Sequence, residues 1–291
     1  MIDYRGYREK RKRIASGALV CLAISLAFCS SSKRAPDIRF PYKWLDVQGF
    51  GGDIDKQSFP EPSGICYHPA RDTLFVVSDE GYVAEIKKDG TPVAKYRVEG
   101  DLEGITLDPQ SGLLYIAVEG EDIILEFGPE NGEVMRRFPI NREYQGNPNF
   151  LQKQVDQYDN GIESLAFVPD PDHPEGGLFY VGNQYDPAMI MKVLVPLRSC
   201  LAEEAEARII DVLPFKMNDP AGMYYDPATG LLNIVNDADN IFAEVTLDGR
   251  LIRQYAFLGD NQEGICLDDE GYLYIAQDTG GILKVKDLRK K

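Results

Sequence analysis

Histidine is almost missing from this chain: there are two in 291 residues, His68 and His173. Zinc and copper sites draw on imidazole and thiolate, so the chain is poorly equipped for either metal. Cysteine is scarce too. Of five, Cys21 and Cys29 fall in an apolar N-terminal stretch, and Cys200 has no evident mate. Cys66 and Cys266 hold equivalent places in two copies of a repeat described below. Equivalent places on packed sheets lie about 10 Å apart, whereas a disulfide needs Cα atoms within about 7 Å. These two are therefore read as buried free thiols. Positive charge is short as well, with 31 Lys and Arg against 47 Asp and Glu and a net charge of −16. The first 29 residues hold six basic side chains and two acidic ones, so the remainder carries about −20. Such a body repels nucleic acid and attracts cations, which removes nucleic acid as a partner. No GxSxG or phosphate-cradling glycine loop is present, and no cysteine and histidine are placed as a catalytic pair.

Long apolar runs are also lacking. The longest, 14–28, is fifteen residues, short for a membrane span and right for the core of a signal segment behind the basic REKRKR. It ends Leu26-Ala27-Phe28-Cys29, which resembles a bacterial lipobox with Phe28 where a small residue is usual. The expectation is a targeting segment at 1–29 lipidated on Cys29, a linker at 30–41, and one folded domain at 42–291. An uncleaved N-terminal anchor and plain secretion are the alternatives. All three put the body outside the cytoplasm, and the first two hold it in the cell envelope through lipid or anchor.

What the chain does have is a repeat. The phrases EPSGICYHP from Glu61, DLEGITLDP from Asp101, GIESLAFVPD from Gly161, DPAGMYYDP from Asp219 and NQEGICLDDEG from Asn261 recur, each followed by a run such as LFVVSD or LYIAVE. Strand-rich repeats of roughly 40–60 residues spell a β-propeller. Each copy reads as strand, turn, strand, strand, hairpin, strand, but the fifth stops after its third strand. The segment YKWLDVQG at 42–49 is free to complete it and remove a sheet edge. The expected fold is an all-β, five-bladed propeller closed by an N-terminal strand. A sixth blade would need strands within 141–160, which is polar and strand-poor. That stretch, carrying Tyr144, Phe150 and Tyr158, is a loop on the face where the first strands start. The insertion LRSCLAEEAEA at 197–207 is expected to form a short helix on the other face.

On the first face, the residue before each small-hydrophobic pair is Ser63, Glu103, Glu163, Ala221 or Glu263. Two residues earlier stand Glu61, Asp101, Gly161, Asp219 and Asn261, and second strands end there at Asp79, Glu119, Asn183, Asp237 and Asp278. First strands are innermost in a propeller, so these positions ring the axis. Converging carboxylates must protonate, gather water or share a cation, and an all-oxygen donor set suits calcium. The alternative is that the glutamates hydrogen-bond neighbouring blades and hold the ring together. Asp237-Ala238-Asp239-Asn240 is no EF-hand, because Phe242 stands where that loop requires glycine.

The phrases EPSGI, DLEGITLDP with LYIAVEGEDIILEF, and DPAGMYYDPATGLLNIVND resemble the SdiA-regulated (YjiK-like) family, distantly NHL-repeat-like, from about Trp44 to the C-terminus. The resemblance implies a five-bladed propeller behind a membrane-targeting segment, with calcium as cofactor. Beside the axial-face candidates Glu61, Asp79, Glu119, Asn183, Asp219, Asp237 and Asp278, it carries over only Glu103, Glu163 and Glu263 as ligands. It supplies no reaction. The expected function is a monomeric calcium-containing module that binds a ligand or envelope protein. The alternatives are a metal-dependent hydrolase of phosphoesters or lactones and a purely structural scaffold.

Overall fold

The computed structural model describes residues 52–54, 59–152, 161–185, 187–237, 239–256 and 261–286. The chain divides into compact units at 1–34 and 35–291, and every described residue lies in the second. Cys29, the segment 42–49 with Trp44, Lys153 and Tyr158 lie outside the described residues.

Twenty strands make five antiparallel groups, and no helix occurs among the described residues. The first group is β2–β5 (Pro62–His68, Thr73–Ser78, Tyr82–Lys87, Pro92–Arg97) and the second is β6–β9 (Asp101–Leu107, Leu114–Glu119, Ile123–Gly128, Glu133–Asn141). The third is β10–β13 (Ile162–Pro169, Gly177–Asn183, Met189–Leu194, Ala207–Val212) and the fourth is β14–β17 (Gly222–Asp226, Leu231–Asn236, Ile241–Thr246, Leu251–Ala256). The last comprises β18–β20 (Gln262–Leu267, Tyr272–Gln277, Ile282–Lys286) with β1 (Gly52–Asp53) added at its outer edge. The fold is a β-propeller.

Alternation explains why the second strands read as unbroken apolar runs. Successive side chains point to opposite faces, and both faces here are covered. In β3, Leu74 and Val76 join one core while Phe75 and Val77 join the next. Five such cores occur among the described residues. Each lies between consecutive groups, and the core with Ile65, Tyr67, Cys266 and Tyr274 joins the last group to the first.

The glycine of the repeated phrase is explained at the same seams. A Cβ on Gly104 would stand 2.7 Å from the Glu163 carbonyl oxygen, and one on Gly222 2.6 Å from that of Glu263. Gly64 abuts the Glu103 carbonyl and Gly264 that of Ser63 still more closely. Each inner strand thus leans its bare backbone on the axial residue of the next. Ser164 is the exception, and its hydroxyl instead donates to the Pro220 carbonyl. At the opposite end, turn aspartates organise the hairpins. Asp108 accepts from Gln110 N and Ser111 Oγ, and Asp226 from Ala228 N and Thr229 Oγ1. His68 replaces this aspartate in the first group, and its Nε2 lies 3.2 Å from the Gly112 carbonyl oxygen of the second. Cys66 and Cys266 are buried free thiols, and burial pushes the Cys66 thiol up to about 12.

An N-terminal strand completes the last group as expected, the segment 42–49 lies outside the described residues, and one expectation is corrected. The described strand that completes the last group is Gly52–Asp53, paired with Lys284 and Leu283, and lies after the expected 42–49. Asp53 Oδ1 also accepts from Ile282 N at 3.2 Å. The insertion at 197–207 is not helical. Its Glu204 and Ala207 run parallel to Arg137 and Ile140, joining the second and third groups into one eight-stranded sheet. Arg136 fastens it by donating to the carbonyls of Leu197 and Cys200 while also pairing with buried Glu126.

Candidate metal centre on the axis

The axial residues owe their placement to a repeated irregularity. Register shifts fall between Pro62 and Ile65, Leu102 and Ile105, Ile162 and Ser164, and Gln262 and Gly264. Ser63, Glu103, Glu163 and Glu263 therefore sit in β-bulges, which release a residue from the ladder and re-aim its side chain. Backbone strain accompanies them. Glu61, Asp219 and Asn261, equivalent in the repeat, have φ of 45°, 50° and 54°. The left-handed region is uncommon for non-glycine residues and costs about 1–3 kcal/mol.

Gly161 breaks this set for a steric reason. A Cβ there would lie 2.7 Å from Glu119 Cγ, so Glu119 of the second group occupies the space that a side chain at 161 would fill. Glu119 is 5% exposed and Asp219 3%.

The carboxylates gather most closely about Asp79. One oxygen each from Glu61, Asp79 and Asp278 lie within 4.8 Å of one another, and so do one each from Asp79, Asp101 and Glu103. The Ser63 hydroxyl donates to Asp79 Oδ1, and the Asn261 side-chain amide to Asp278 Oδ2 at 3.1 Å. The expected trio Glu103, Glu163 and Glu263 does not form a group of that tightness, although the three interact around the ring. Of the remaining candidates, Asp237 acts on Glu263 electrostatically. Asn183 turns its amide to the Tyr185 and Pro187 carbonyls, 2.7 and 2.9 Å away.

Electrostatics show the cost of this assembly. Burial, reinforced by Asp101, Asp278 and Glu61, pushes the Asp79 carboxyl up to about 8 against the opposing Ser63 hydrogen bond. Burial and then Asp79 and Asp101 hold Glu103 well above the ordinary range. Burial and then Asp219 and Glu263 do the same to Glu163, and burial and then Asp219 and Asp237 to Glu263. Glu163 is 5% exposed, its Oε2 accepts from no protein donor, and the Asp219 carboxyl lies within hydrogen-bonding reach of the Glu163 carboxyl, where a shared proton also raises it. A buried carboxylate oxygen left unmatched costs on the order of 1–3 kcal/mol or more. The residues fit a hard cation: oxygen donors only, in excess, with an orphaned one among them.

The long loop on this face contributes packing. Tyr144 and Phe150 pack with tilted rings, centroids 4.9 Å apart, against the core between the second and third groups. Arg142 pairs with Asp122, itself 3% exposed, in the β7–β8 turn.

The family model described as SdiA-regulated matches residues 47–279. No curated protein matches the chain. Among solved structures, Myxococcus xanthus glutaminyl cyclase is similar with a TM-score of 0.54 at 11% identity, over 82% of this chain and 94% of that one. A Bacteroides caccae protein of unknown function has a TM-score of 0.46 at 12% identity, over 74% of this chain and 69% of that one. The Cps50 (Swd1) β-propeller domain of Myceliophteria thermophila has 0.41 at 11% identity, over 74% and 62%. The first of these likenesses is one of fold.

Proposed function

The chain belongs to the SdiA-regulated family, and from that premise we propose that it is an envelope-attached, calcium-containing propeller that serves as a binding module for a ligand or partner. The observation that carries the cation is Glu163 Oε2, buried and unmatched amid carboxylates that raise one another. A divalent cation stabilises all of them at once, because Coulomb attraction at short range and low dielectric is strong. It also fastens the groups, since Asp79, Asp101 and Asp278 belong to three of them. Calcium suits the set better than magnesium, whose strict octahedron an irregular ring of bulged strands serves poorly.

Calcium at 100 times its dissociation constant adds about 2.7 kcal/mol to the folded state. In a domain of this size that is a rise in Tm of about 5–10 °C. Differential scanning fluorimetry of the chelator-treated protein, titrated with calcium and in parallel with magnesium, measures it. An unmoved Tm together with no bound metal by elemental analysis removes the cation from the function. The ring carboxylates are then protonated and merely structural.

Envelope attachment rests on the basic, apolar and cysteine-terminated segment at 1–29. Metabolic labelling with an alkyne fatty acid should mark the wild-type chain and leave Cys29→Ser unmarked. A mature chain that retains its first 28 residues and carries no added lipid mass, seen by mass spectrometry, favours an uncleaved anchor.

A further inference from the structure

We infer that the seam between the last and first strand groups holds a binding site for a medium-chain aliphatic monocarboxylate, apart from the axial ring. The site is a cavity of about 270 Å³. Phe59, Val76, Ala84, Ile86 and Ile282 form its apolar wall, exposed Lys95 stands at its rim, and none of the axial carboxylates lines it. The space follows from one small residue in the repeat. Residues directly opposed across strands share a face, and Val76, Ala84 and Lys95 make one such row in the first group. At the place of Ala84 the second, third and last groups carry Leu125, Met191 and Leu283, each buried in its seam. The fourth carries Ala243, in a core on which Phe215 and Met217 also pack. The described outer strand of the last group is only Gly52–Asp53, so few of its side chains reach across this seam. An apolar cavity of about 150 Å³ stays dry and takes benzene, so this larger one has room for an alkyl chain of roughly eight carbons.

Lys95 sets the sign of the head group. Its Nζ lies 3.9 Å from the centroid of the Tyr82 ring and 5.3 Å from that of Phe59, which itself lines the cavity. Among the described residues this ammonium contacts those rings and forms no ion pair. The Arg97 guanidinium, 4.8 Å from the same Tyr82 ring, adds a second positive charge nearby. A ligand carboxylate at the rim therefore gains a charge-assisted hydrogen bond from Lys95 while its chain enters the apolar space. A doubly charged head would meet a chain of net charge −16, which favours a single negative charge. The site needs no cation at the ring, and the ring needs no ligand here.

Isothermal titration of the full chain with hexanoate, octanoate and decanoate is the test. One ligand should bind per chain, with affinity rising about fourfold per added methylene until the cavity is full. Octylamine, of the opposite charge, should bind about tenfold more weakly than octanoate. Lys95→Glu should reverse that preference, which general adhesion of alkyl chains cannot do. Ala84→Leu, which restores the larger residue of the other groups, should weaken octanoate about tenfold or more, with circular dichroism confirming the β-fold. If that variant does not fold, Val93→Glu decides in its place: Val93 is 48% exposed at the rim, and a carboxylate there should repel octanoate to a similar extent. Absence of saturable octanoate binding overturns the site. So does equal affinity for octanoate and octylamine, or octanoate binding that Ala84→Leu and Lys95→Glu leave unchanged. Each of these results leaves the calcium titration of the ring, and the reading that rests on it, standing.

Discussion

Gly264→Ala should destabilise the propeller by about 3 kcal/mol and lower its Tm by about 6–12 °C. Substituting alanine for glycine ordinarily stabilises a strand by reducing the freedom of the unfolded chain, by about 0.4–1 kcal/mol where the backbone permits. Here the sign reverses. The new Cβ would press on the Ser63 carbonyl oxygen and stand 2.8 Å from Ile65 N and 3.0 Å from Gly64 C. All three atoms are backbone of the first strand group, and they cannot swing aside as a flexible side chain would. Relief requires the last and first groups to separate, which opens the core shared by Ile65, Tyr67, Cys266 and Tyr274. Gly230 is the comparison. Its φ is 70° and a Cβ there would meet nothing within 4 Å, so Gly230→Ala bears only a conformational cost of about 1–2 kcal/mol. Chemical denaturation of the two variants separates the mechanisms. Equal destabilisation would mean that the inner strands are not in the tight contact described.

That contact shows how far the sequence could be read. The phrase EGI repeats because two demands meet at neighbouring positions. Glycine admits the next strand's carbonyl, and the residue before it faces the axis. The repeat therefore announced both the propeller and the acidic ring. The bulges at Ser63, Glu103, Glu163 and Glu263 left no such mark, because an extra residue in one strand is defined only against its partner. The pivot at Asp79 was hidden for a similar reason. Asp278 and Asp101 reach it from opposite sides, and only ring closure brings the first of them near.

The misread segment has a physical cause too. LAEEAEA is rich in helix formers, but intrinsic propensity is weak, and the parallel pairing with Arg137 and Ile140 together with the bonds from Arg136 outweighs it. The described closing strand Gly52–Asp53 is two residues long, too short to show alternation in the sequence. Gly161 stands where the other copies carry Glu, Asp or Asn, and it leaves the space that Glu119 fills.

The metal-free protein should lose stability as the pH rises from 5 to 8, and the calcium-loaded protein should not. Unfolded Asp and Glu titrate near 3.9 and 4.3. In the folded chain Asp79 is pushed up to about 8, and Glu103, Glu163 and Glu263 lie well above their ordinary range. Between these limits the folded state holds more protons than the unfolded state, so each upward step in pH favours unfolding. The stabilisation is complete below the unfolded values and is lost as pH climbs through the folded ones. Carboxylates held low, such as Asp72 beside Lys88 and Glu85 with Arg71, act oppositely. Their stabilisation is full and constant above about pH 5 and is lost only as the pH falls below it, so it does not tilt the curve from pH 5 to 8. Calcium displaces the same protons, so its stabilising effect should grow across the window and flatten the curve. Glu163→Gln removes one of the ionising groups while keeping its shape. Its metal-free form should show a shallower loss and, at pH 8, melt no lower than the metal-free wild type, while its calcium affinity falls. Thermal melts from pH 5 to 8 with chelator and with calcium, for both chains, provide the measurement. A metal-free wild type whose Tm is level or rising across that range, with Glu163→Gln indistinguishable from it, would show that the ring carries no buried repulsion for a cation to relieve.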